Sequence, residues 1–203
     1  LNIGPGEPCL SEWEDAGLSL PDLPVMRQYR LDRLVAKLQE FDYGGILLFD
    51  PLNVRYATDT TNMQLWVMHN GARYAYVSAD GHVIVWDYTN TEFLNGHSHV
   101  IDEVRPAVAV SYFLSGSRYQ EIAGRWADEI ASVVRQHQRG NSRLAVDVLH
   151  GPGHQLLARL GIEVGFGYEV MEEARRIKGT DEIKALRFAI HACEMSMAEL
   201  KQA

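Results

Sequence analysis

Cysteine is scarce in this sequence of 203 residues. It has two cysteines, Cys9 and Cys193, which lie near opposite ends of the chain and form no C-x-x-C pair. Disulfide-stabilised domains and zinc knuckles need several cysteines at short, regular spacings. We therefore expect neither a disulfide framework nor a zinc knuckle. Cys193 is predicted to be an ordinary buried side chain of a helix.

Long apolar runs and an excess of basic residues are also missing. No run approaches the ~18–20 apolar residues that a membrane-spanning helix needs, and no signal peptide is visible. The net charge is -8, and the basic residues are dispersed along the chain. This balance disfavours nucleic acid or an anionic membrane as a partner. We expect a cytoplasmic protein, from which residues before Leu1 have been removed because the sequence does not begin with methionine.

The sequence also lacks short catalytic motifs. The glycine-containing stretches at 151–153 and 165–167 do not continue into G-x-G-x-x-G or a Walker sequence, which argues against a nucleotide site. No Ser/His/Asp or Cys/His set is grouped along the chain. His97 and His99 share one strand face if their segment is extended, but no third ligand is near in sequence. We interpret both as surface histidines.

Hydrophobic residues make up 46% of the chain, which is enough for a sizeable core. Apolar residues spaced mostly three and four apart predict an amphipathic helix over 25–41. The apolar run at 46–49 predicts a strand buried on both faces. Asp50-Pro51 is predicted to form a turn, because proline cannot donate to a strand ladder, and a second short strand is predicted at 53–57.

Residues 58–70 are predicted to be a loop that is unusually apolar and contains Trp66. Such a loop either packs under the domain or presents its tryptophan to a ligand or partner. The following runs at 73–78 and 83–87 are rich in β-forming residues. Because Asp80-Gly81 lies between them, they predict a β-hairpin.

The rest of the chain alternates between the two kinds of secondary structure. We predict short β-runs at 99–104 and 107–113, followed by a helix at 118–139 and a strand at 143–148. We then predict a helix at 154–160, a strand at 162–166 and a helix at 170–175. Helices that alternate with strands after a hairpin predict an α/β fold with a mixed β-sheet, part parallel and part antiparallel.

Each end of the chain has its own character. The proline-rich residues 1–24 predict an extended N-terminal arm, with a short helical turn at Trp13 capped by Ser11. Trp13 is expected to anchor this arm to the body of the protein or to a second subunit. Residues 25–175 then form the α/β domain, and 176–203 form a linker and a helix.

The last helix is predicted to begin with Thr180 as its N-cap. Its apolar residues recur at spacings of three and four along one face; they are Ile183, Leu186, Ile190, Cys193, Met197 and Leu200. A stripe of this kind needs a surface to cover it. It either packs on its own domain, pairs between chains, or covers a further domain that is cut away here.

Two stretches resemble a known family. The order Asn53-x-x-Tyr56-x-Thr58 after a buried strand is similar to the N-terminal domain of creatinase, prolidase and aminopeptidase P, the two-domain pita-bread metallohydrolases. Asp59 stands where their motif usually has glycine. The extended stretch from Phe49 to Trp66 looks most like the branch that contains dimethylsulfoniopropionate lyases. Arg176, Lys178, Glu182 and Ile183 resemble the entry to the first helix of the catalytic domain.

The resemblance implies a three-layer α/β domain followed by one helix of a truncated pita-bread domain. In the family, two divalent metal ions are held by two aspartates, a histidine and two glutamates that lie beyond this junction. None of these ligands can be assigned to a residue here. We therefore expect this chain to be non-catalytic and to hold no catalytic metal, while the parent enzyme uses two divalent ions.

Three hypotheses about function remain open. The chain is the N-terminal domain of an enzyme similar to a dimethylsulfoniopropionate lyase, or of an Xaa-Pro dipeptidase, aminopeptidase or creatinase-like hydrolase, or it is a free-standing α/β binding module. In the first two, the resemblance implies a homodimer in which one domain helps to close the neighbouring subunit's active site over a small-molecule substrate. The candidate contacts to that pocket are Trp66, Asn62, His69 and Asn70, with Tyr56 expected in the core.

Overall fold

The computed structural model describes residues 6–137, 140–149 and 151–202. Within these ranges the chain forms one six-stranded sheet in the order β4-β3-β2-β1-β5-β6. The strands are β1 Gly45–Leu48, β2 Tyr74–Ser78, β3 Val83–Asp87, β4 Glu103–Pro106, β5 Arg143–Val146 and β6 Glu163–Phe166. The pairs β1–β2 and β2–β3 are antiparallel, and the other pairs are parallel. The predicted α/β fold with a mixed sheet is confirmed.

The helices that the structure describes lie on both sides of this sheet or extend from it. They are α1 Cys9–Asp15, α2 Leu23–Glu40, α3 Pro51–Thr58, α4 Gln64–His69, α5 Tyr112–Ser115, α6 Tyr119–His137, α7 Gly153–Arg159, α8 Gly167–Arg176 and α9 Thr180–Gln202. No described helix is both long and apolar enough to cross a membrane. The predicted end of the sixth helix at residues 138–139 lies outside the described part of the chain.

The strands β1, β2 and β3 are buried on both faces, and successive side chains of a strand point to opposite sides of the sheet. In β2, Tyr74 and Tyr76 pack against α6 and α7, whereas Ala75 and Val77 pack against α2, α3 and α8. Trp126 of α6 is fully buried on the first side. The result is the three-layer arrangement that the resemblance implied.

The predicted strand at 53–57 is wrong, because these residues belong to α3. Asp50 is the N-cap, and its carboxylate accepts hydrogen bonds from the backbone N–H groups of Leu52 (2.7 Å) and Asn53 (3.3 Å). Pro51 occupies the first helical position, where a missing N–H costs nothing. The pair that was read as a turn is therefore the start of a helix.

The other corrections concern short segments. The loop at 58–70 contains α4, and the β-run at 107–113 contributes one bridge, from Val110 to Gly71, before α5 begins. The run at 99–104 becomes strand only from Glu103 onward. These segments are too short for a hydrophobic period to identify them.

The N-terminal segment is not extended throughout, since α1 lies within it. Trp13 of α1 stacks on Phe188 of α9 with ring centroids 4.2 Å apart, so it anchors the arm to the last helix. Ser11 does not cap the helix, because its hydroxyl donates to Glu7 from inside α1. Residues 1–5 of the predicted arm lie outside the described residues.

The apolar stripe of α9 is largely exposed rather than covered. Ile183 is 43% exposed and Leu200 is 77% exposed. Cys193 is also exposed, which corrects the prediction that it is buried. Thr180 is not the capping residue either: Glu182 accepts a hydrogen bond from the N–H of Gly179 at 3.0 Å, as in a capping box.

Candidate functional site

The segment with the predicted pocket residues is held in place by a buried ion pair. Arg73, which immediately precedes β2, donates from Nε to Asp87 of β3 at 2.9 Å, and both side chains are almost fully buried. Arg73 also donates to Thr60 at 2.6 Å, and Asn62 donates to Asp87 at 2.9 Å. These bonds fix the chain between α3 and α4 on the end of the hairpin.

Opposing influences act on the Asp87 carboxyl. Burial is the largest and favours its neutral form, but the charge of Arg73 and the hydrogen bonds from Asn95, Arg73 and the N–H of Tyr88 together lower the pKa of Asp87 below its usual value. Asp87 is therefore an anion at neutral pH. The network is a structural anchor for the segment that follows.

The four predicted pocket residues occupy different environments. Asn62 is bonded to Asp87, and Asn70 is buried, accepting a hydrogen bond from Ser111 at 2.7 Å. His69 is exposed. Trp66 is half-buried and meets Phe113 edge to face at a centroid distance of 5.3 Å. The two asparagines thus already have protein partners, and the predicted role of all four in a substrate pocket stays a prediction.

Exposed apolar side chains surround Trp66. We call this surface the α4–α5 patch; its members are Met63, Leu65, Trp66, Met68, Tyr112 and Phe113. Leu65 is 81% exposed and Phe113 is 75% exposed. Large apolar side chains grouped on a surface are typical of sites that bind a partner or ligand.

The motif residues of α3 connect the layers of the domain. The amide of Asn53 donates to Asp147 at 3.0 Å, and its oxygen accepts from Arg175 at 2.8 Å. The hydroxyl of Tyr56 donates to the carbonyl of Ala174 at 3.0 Å, and Thr58 donates to the carbonyl of Val54 at 2.7 Å. Tyr56 is buried, as expected. All three motif side chains thus have structural partners.

Asp147 follows β5, and its carboxylate accepts hydrogen bonds from the backbone just after β1. Its carboxylate accepts from the N–H groups of Phe49 (2.8 Å), Asp50 (3.1 Å) and Val148 (2.6 Å) as well as from Asn53. Burial raises the pKa of Asp147, although each of these donors opposes the rise. Asn53 therefore matters because it supplies one donor to a carboxylate that is largely shielded from water.

We expect Asn53→Ala to lower the free energy of unfolding by about 1–3 kcal/mol, because it removes the two hydrogen bonds that the buried Asn53 makes to the ionisable groups of Asp147 and Arg175. Chemical denaturation measures this loss. Leu52→Ala on the exposed side of the same helix is the control and should stay within about 0.5 kcal/mol of the parent. Equal, small effects for both substitutions would contradict the structural role of Asn53.

The junction residue Glu182 binds α9 to the domain, and the two basic junction residues make local contacts at the end of α8. Glu182 is buried and accepts from Arg30 of α2 at 2.8 Å, while Arg176 pairs with Glu173 at 3.0 Å. Lys178 donates to the carbonyl of Arg175. These contacts lie beside a cleft of about 540 Å³ between α2, α3 and α9.

The cleft contains several arginines, but most of them have partners. Arg27 donates to Asp59 at 2.8 Å, Arg30 to Glu182, and Arg175 to Asn53. The Nε2–H of His97 donates to the carbonyl oxygen of Asp59 at 2.9 Å. His99, in contrast, is exposed. Arg27 and His97 therefore fix Asp59, the residue that ends α3.

Family comparison is consistent with this arrangement. Residues 30–187 match the family described as the creatinase/prolidase N-terminal domain. The chain belongs to this family. The buried Asn53, Tyr56 and Thr58 and the Glu182 junction all lie within the matched residues.

Relatives of this creatinase/prolidase N-terminal domain include two proteins named dimethylsulfoniopropionate lyase DddP. The protein from Roseovarius nubinhibens is 44% identical over 201 residues, and that from Roseobacter denitrificans is 42% identical over 201 residues. Each match covers 99% of this chain and 45% of the relative. The chain thus spans less than half the length of these relatives.

Solved structures share the fold of this creatinase/prolidase N-terminal domain. A dipeptidase from Pyrococcus horikoshii gives a TM-score of 0.58 at 17% identity, covering 86% of this chain and 44% of that one. An Xaa-Pro aminopeptidase from Streptococcus thermophilus gives a TM-score of 0.51 at 17% identity, covering 73% of this chain and 98% of that one. At such identities the likeness concerns the fold alone.

One group of side chains in this creatinase/prolidase N-terminal domain was missed by sequence reasoning. His82, Glu103 and His137 bring potential metal-ligand atoms within 4.8 Å of one another, the one such group among the described residues. They come from the hairpin, β4 and the end of α6. No spacing in the sequence signals them, because the sheet topology alone brings these elements together.

Proposed function

We propose that this chain is the non-catalytic N-terminal domain of a metal-dependent pita-bread enzyme that acts on a small sulfonium substrate, as dimethylsulfoniopropionate lyases do. The observation that carries this proposal is the 44% identity to a protein of that name over nearly the whole chain. The parent enzyme would hold two divalent metal ions through residues that this chain does not supply. The domain would support a homodimer.

The α4–α5 patch gives the domain a specific task in such a dimer. We assign Trp66 to the substrate pocket of the neighbouring subunit, where its indole face would attract the positive charge of a sulfonium. The geometry supports this role, because Trp66 lies on a surface of exposed apolar groups while the network of Arg73 and Asp87 fixes the preceding segment. The patch would then help to close the pocket and to exclude water.

Substituting Trp66→Ala in the complete enzyme tests this assignment. Losing one cation–π contact, worth about 0.5–2 kcal/mol, should raise KM for the sulfonium by about two- to thirty-fold. The melting temperature should change little, since Trp66 is only half-buried. Steady-state kinetics and thermal denaturation measure the two quantities.

Trp13→Ala is the matched control, because it removes another half-buried tryptophan that packs on α9 instead. It should leave KM unchanged. A large fall in melting temperature with an unchanged KM for Trp66→Ala would show that Trp66 is only a packing residue.

The peptidase alternative rests on the fold that this domain shares with a dipeptidase and an aminopeptidase. It is separated from the lyase proposal by assaying the same enzyme with an Xaa-Pro dipeptide and with dimethylsulfoniopropionate. Turnover of the dipeptide alone would replace the lyase proposal. Turnover of neither, by a protein that also binds no catalytic metal, would favour the free-standing binding module.

A further inference from the structure

Two histidines and a glutamate meet at one corner of the sheet. His82 lies in the turn that leads into β3, Glu103 begins β4, and His137 ends α6. Each of these side chains is partly exposed. They lie on the α6 side of the hairpin. Their contacts include no residue of the α4–α5 patch and no lining residue of the cleft between α2, α3 and α9.

The donor atoms of these side chains are close to coordination distance. His82 Nε2 lies 3.1 Å from Glu103 Oε1, and the rings of His82 and His137 are stacked with centroids 4.2 Å apart. Bonds of 2.0–2.1 Å at tetrahedral angles place two ligand atoms of zinc roughly 3.3 Å apart. The His82–Glu103 pair already has that separation, and the His137 ring needs to tilt out of the stack to complete the set.

We propose that His82 Nε2, Glu103 Oε1 and the His137 imidazole bind one zinc ion, with water as the fourth ligand. Two histidines and one glutamate form a donor set that suits zinc. Zinc is a borderline-soft ion and binds imidazole nitrogen, whereas magnesium prefers oxygen ligands. The ion would take the place of the proton between His82 and Glu103. It would tie the hairpin, β4 and α6 together.

Neighbouring charged groups contact two of the proposed ligands and can hold them in position. His82 Nδ1 lies 3.5 Å from Asp102 Oδ2, so its N–H would face a carboxylate when Nε2 binds the metal. Arg105 donates from Nε to Glu103 Oε2 at 2.9 Å and leaves Oε1 for the ion. Partners of this kind orient metal ligands and raise affinity.

His137 is prepared for coordination in two ways. Its Nε2 is buried and has no hydrogen-bond partner among the described residues. Burial first, and then the charge of His82, lower the pKa of His137, while Asp80 and Glu103 oppose this effect and Arg105 reinforces it. A neutral imidazole with an unused nitrogen is the form that binds metal.

Titration calorimetry of the 203-residue chain, freed of metal by a chelator, tests the site. We expect one zinc ion to bind per chain and magnesium to give no signal. Glu103→Gln and His137→Ala should each weaken zinc binding at least about tenfold, because losing a ligand should cost no less than losing a residue that merely orients one. His154→Ala, which removes an exposed histidine of α7, is the matched control and should leave the affinity unchanged.

Absence of zinc binding, or equal affinity in all four proteins, would overturn the proposal. A second readout avoids any dependence on how well the variants fold. In the unsubstituted chain, one equivalent of zinc should shift the ring NMR signals of two of its eight histidines. Shifts at no histidine, or at the signal that His154→Ala removes, would also overturn it. The sequence-based expectation that the chain holds no catalytic metal is separate and stays a prediction.

Discussion

Replacing Arg73 by methionine should lower the free energy of unfolding by about 3–5 kcal/mol, the usual cost of removing one partner from a buried ion pair. The side chains of Arg73 and Asp87 are 3% and 1% exposed. Without Arg73, the Asp87 carboxylate keeps the bonds from Asn62, Asn95 and its neighbouring backbone but has no compensating charge. Urea denaturation at neutral pH measures the loss.

Two further variants show whether the buried charge is the cause. Arg73→Met combined with Asp87→Leu removes both charges and should recover a large part of the lost stability, because no uncompensated ion remains. Arg118→Ala removes an arginine from an exposed pair with Glu121 and should have no measurable effect. A double variant as unstable as Arg73→Met would show that lost packing, rather than charge, is responsible.

The same pair predicts how stability depends on pH. The pKa of Asp87 is lower in the folded state than in the unfolded state. The contribution of Asp87 to the free energy of unfolding is therefore fully present above the unfolded-state pKa and is lost as pH falls through the folded-state pKa. Denaturation curves at successively lower pH should therefore show declining stability. This decline should be smaller in the Arg73→Met, Asp87→Leu variant, which lacks the group.

Backbone amides of α9 should exchange with deuterium quickly beyond His191 in a dilute sample of the 203-residue chain. The first turns have contacts, since Glu182 bonds to Arg30, Phe188 stacks on Trp13, and His191 lies 3.1 Å from Glu12. The residues that follow are exposed. An isolated helix shorter than about 12–15 residues is marginal in water, so this part should open frequently.

Helix α6 is the internal reference for this measurement, because Trp126 and Ile130 are fully buried and their amides should exchange slowly. Protection of residues 192–202 that appears only at high concentration would indicate that the exposed stripe pairs between chains. Slow exchange there in a dilute monomer would contradict the expected mobility and show that the stripe is covered within one chain.

Strong local patterns made parts of this fold predictable. The hairpin formed by β2 and β3 follows from two β-rich runs around Asp80-Gly81, and Gly81 adopts a positive φ of 93° that glycine tolerates. Helices α2 and α6 follow from apolar residues at helical spacing. Helix α3 was missed because Asp50-Pro51 suits both a turn and a helix start, and only the hydrogen bonds of Asp50 distinguish them.

Short-range periods and local motifs were enough to predict the α/β class, the hairpin, the long helices and the family resemblance. Which polar side chains already have a hydrogen-bond partner, by contrast, depends on the tertiary structure. Asn62 bonds to Asp87 and Asn53 to Asp147, whereas Trp66 stays accessible and His82 meets Glu103 and His137. These partners are far apart in the chain, and the order of strands in the sheet sets their distances. No local pattern encodes that order, since it results from packing both faces of the sheet at once.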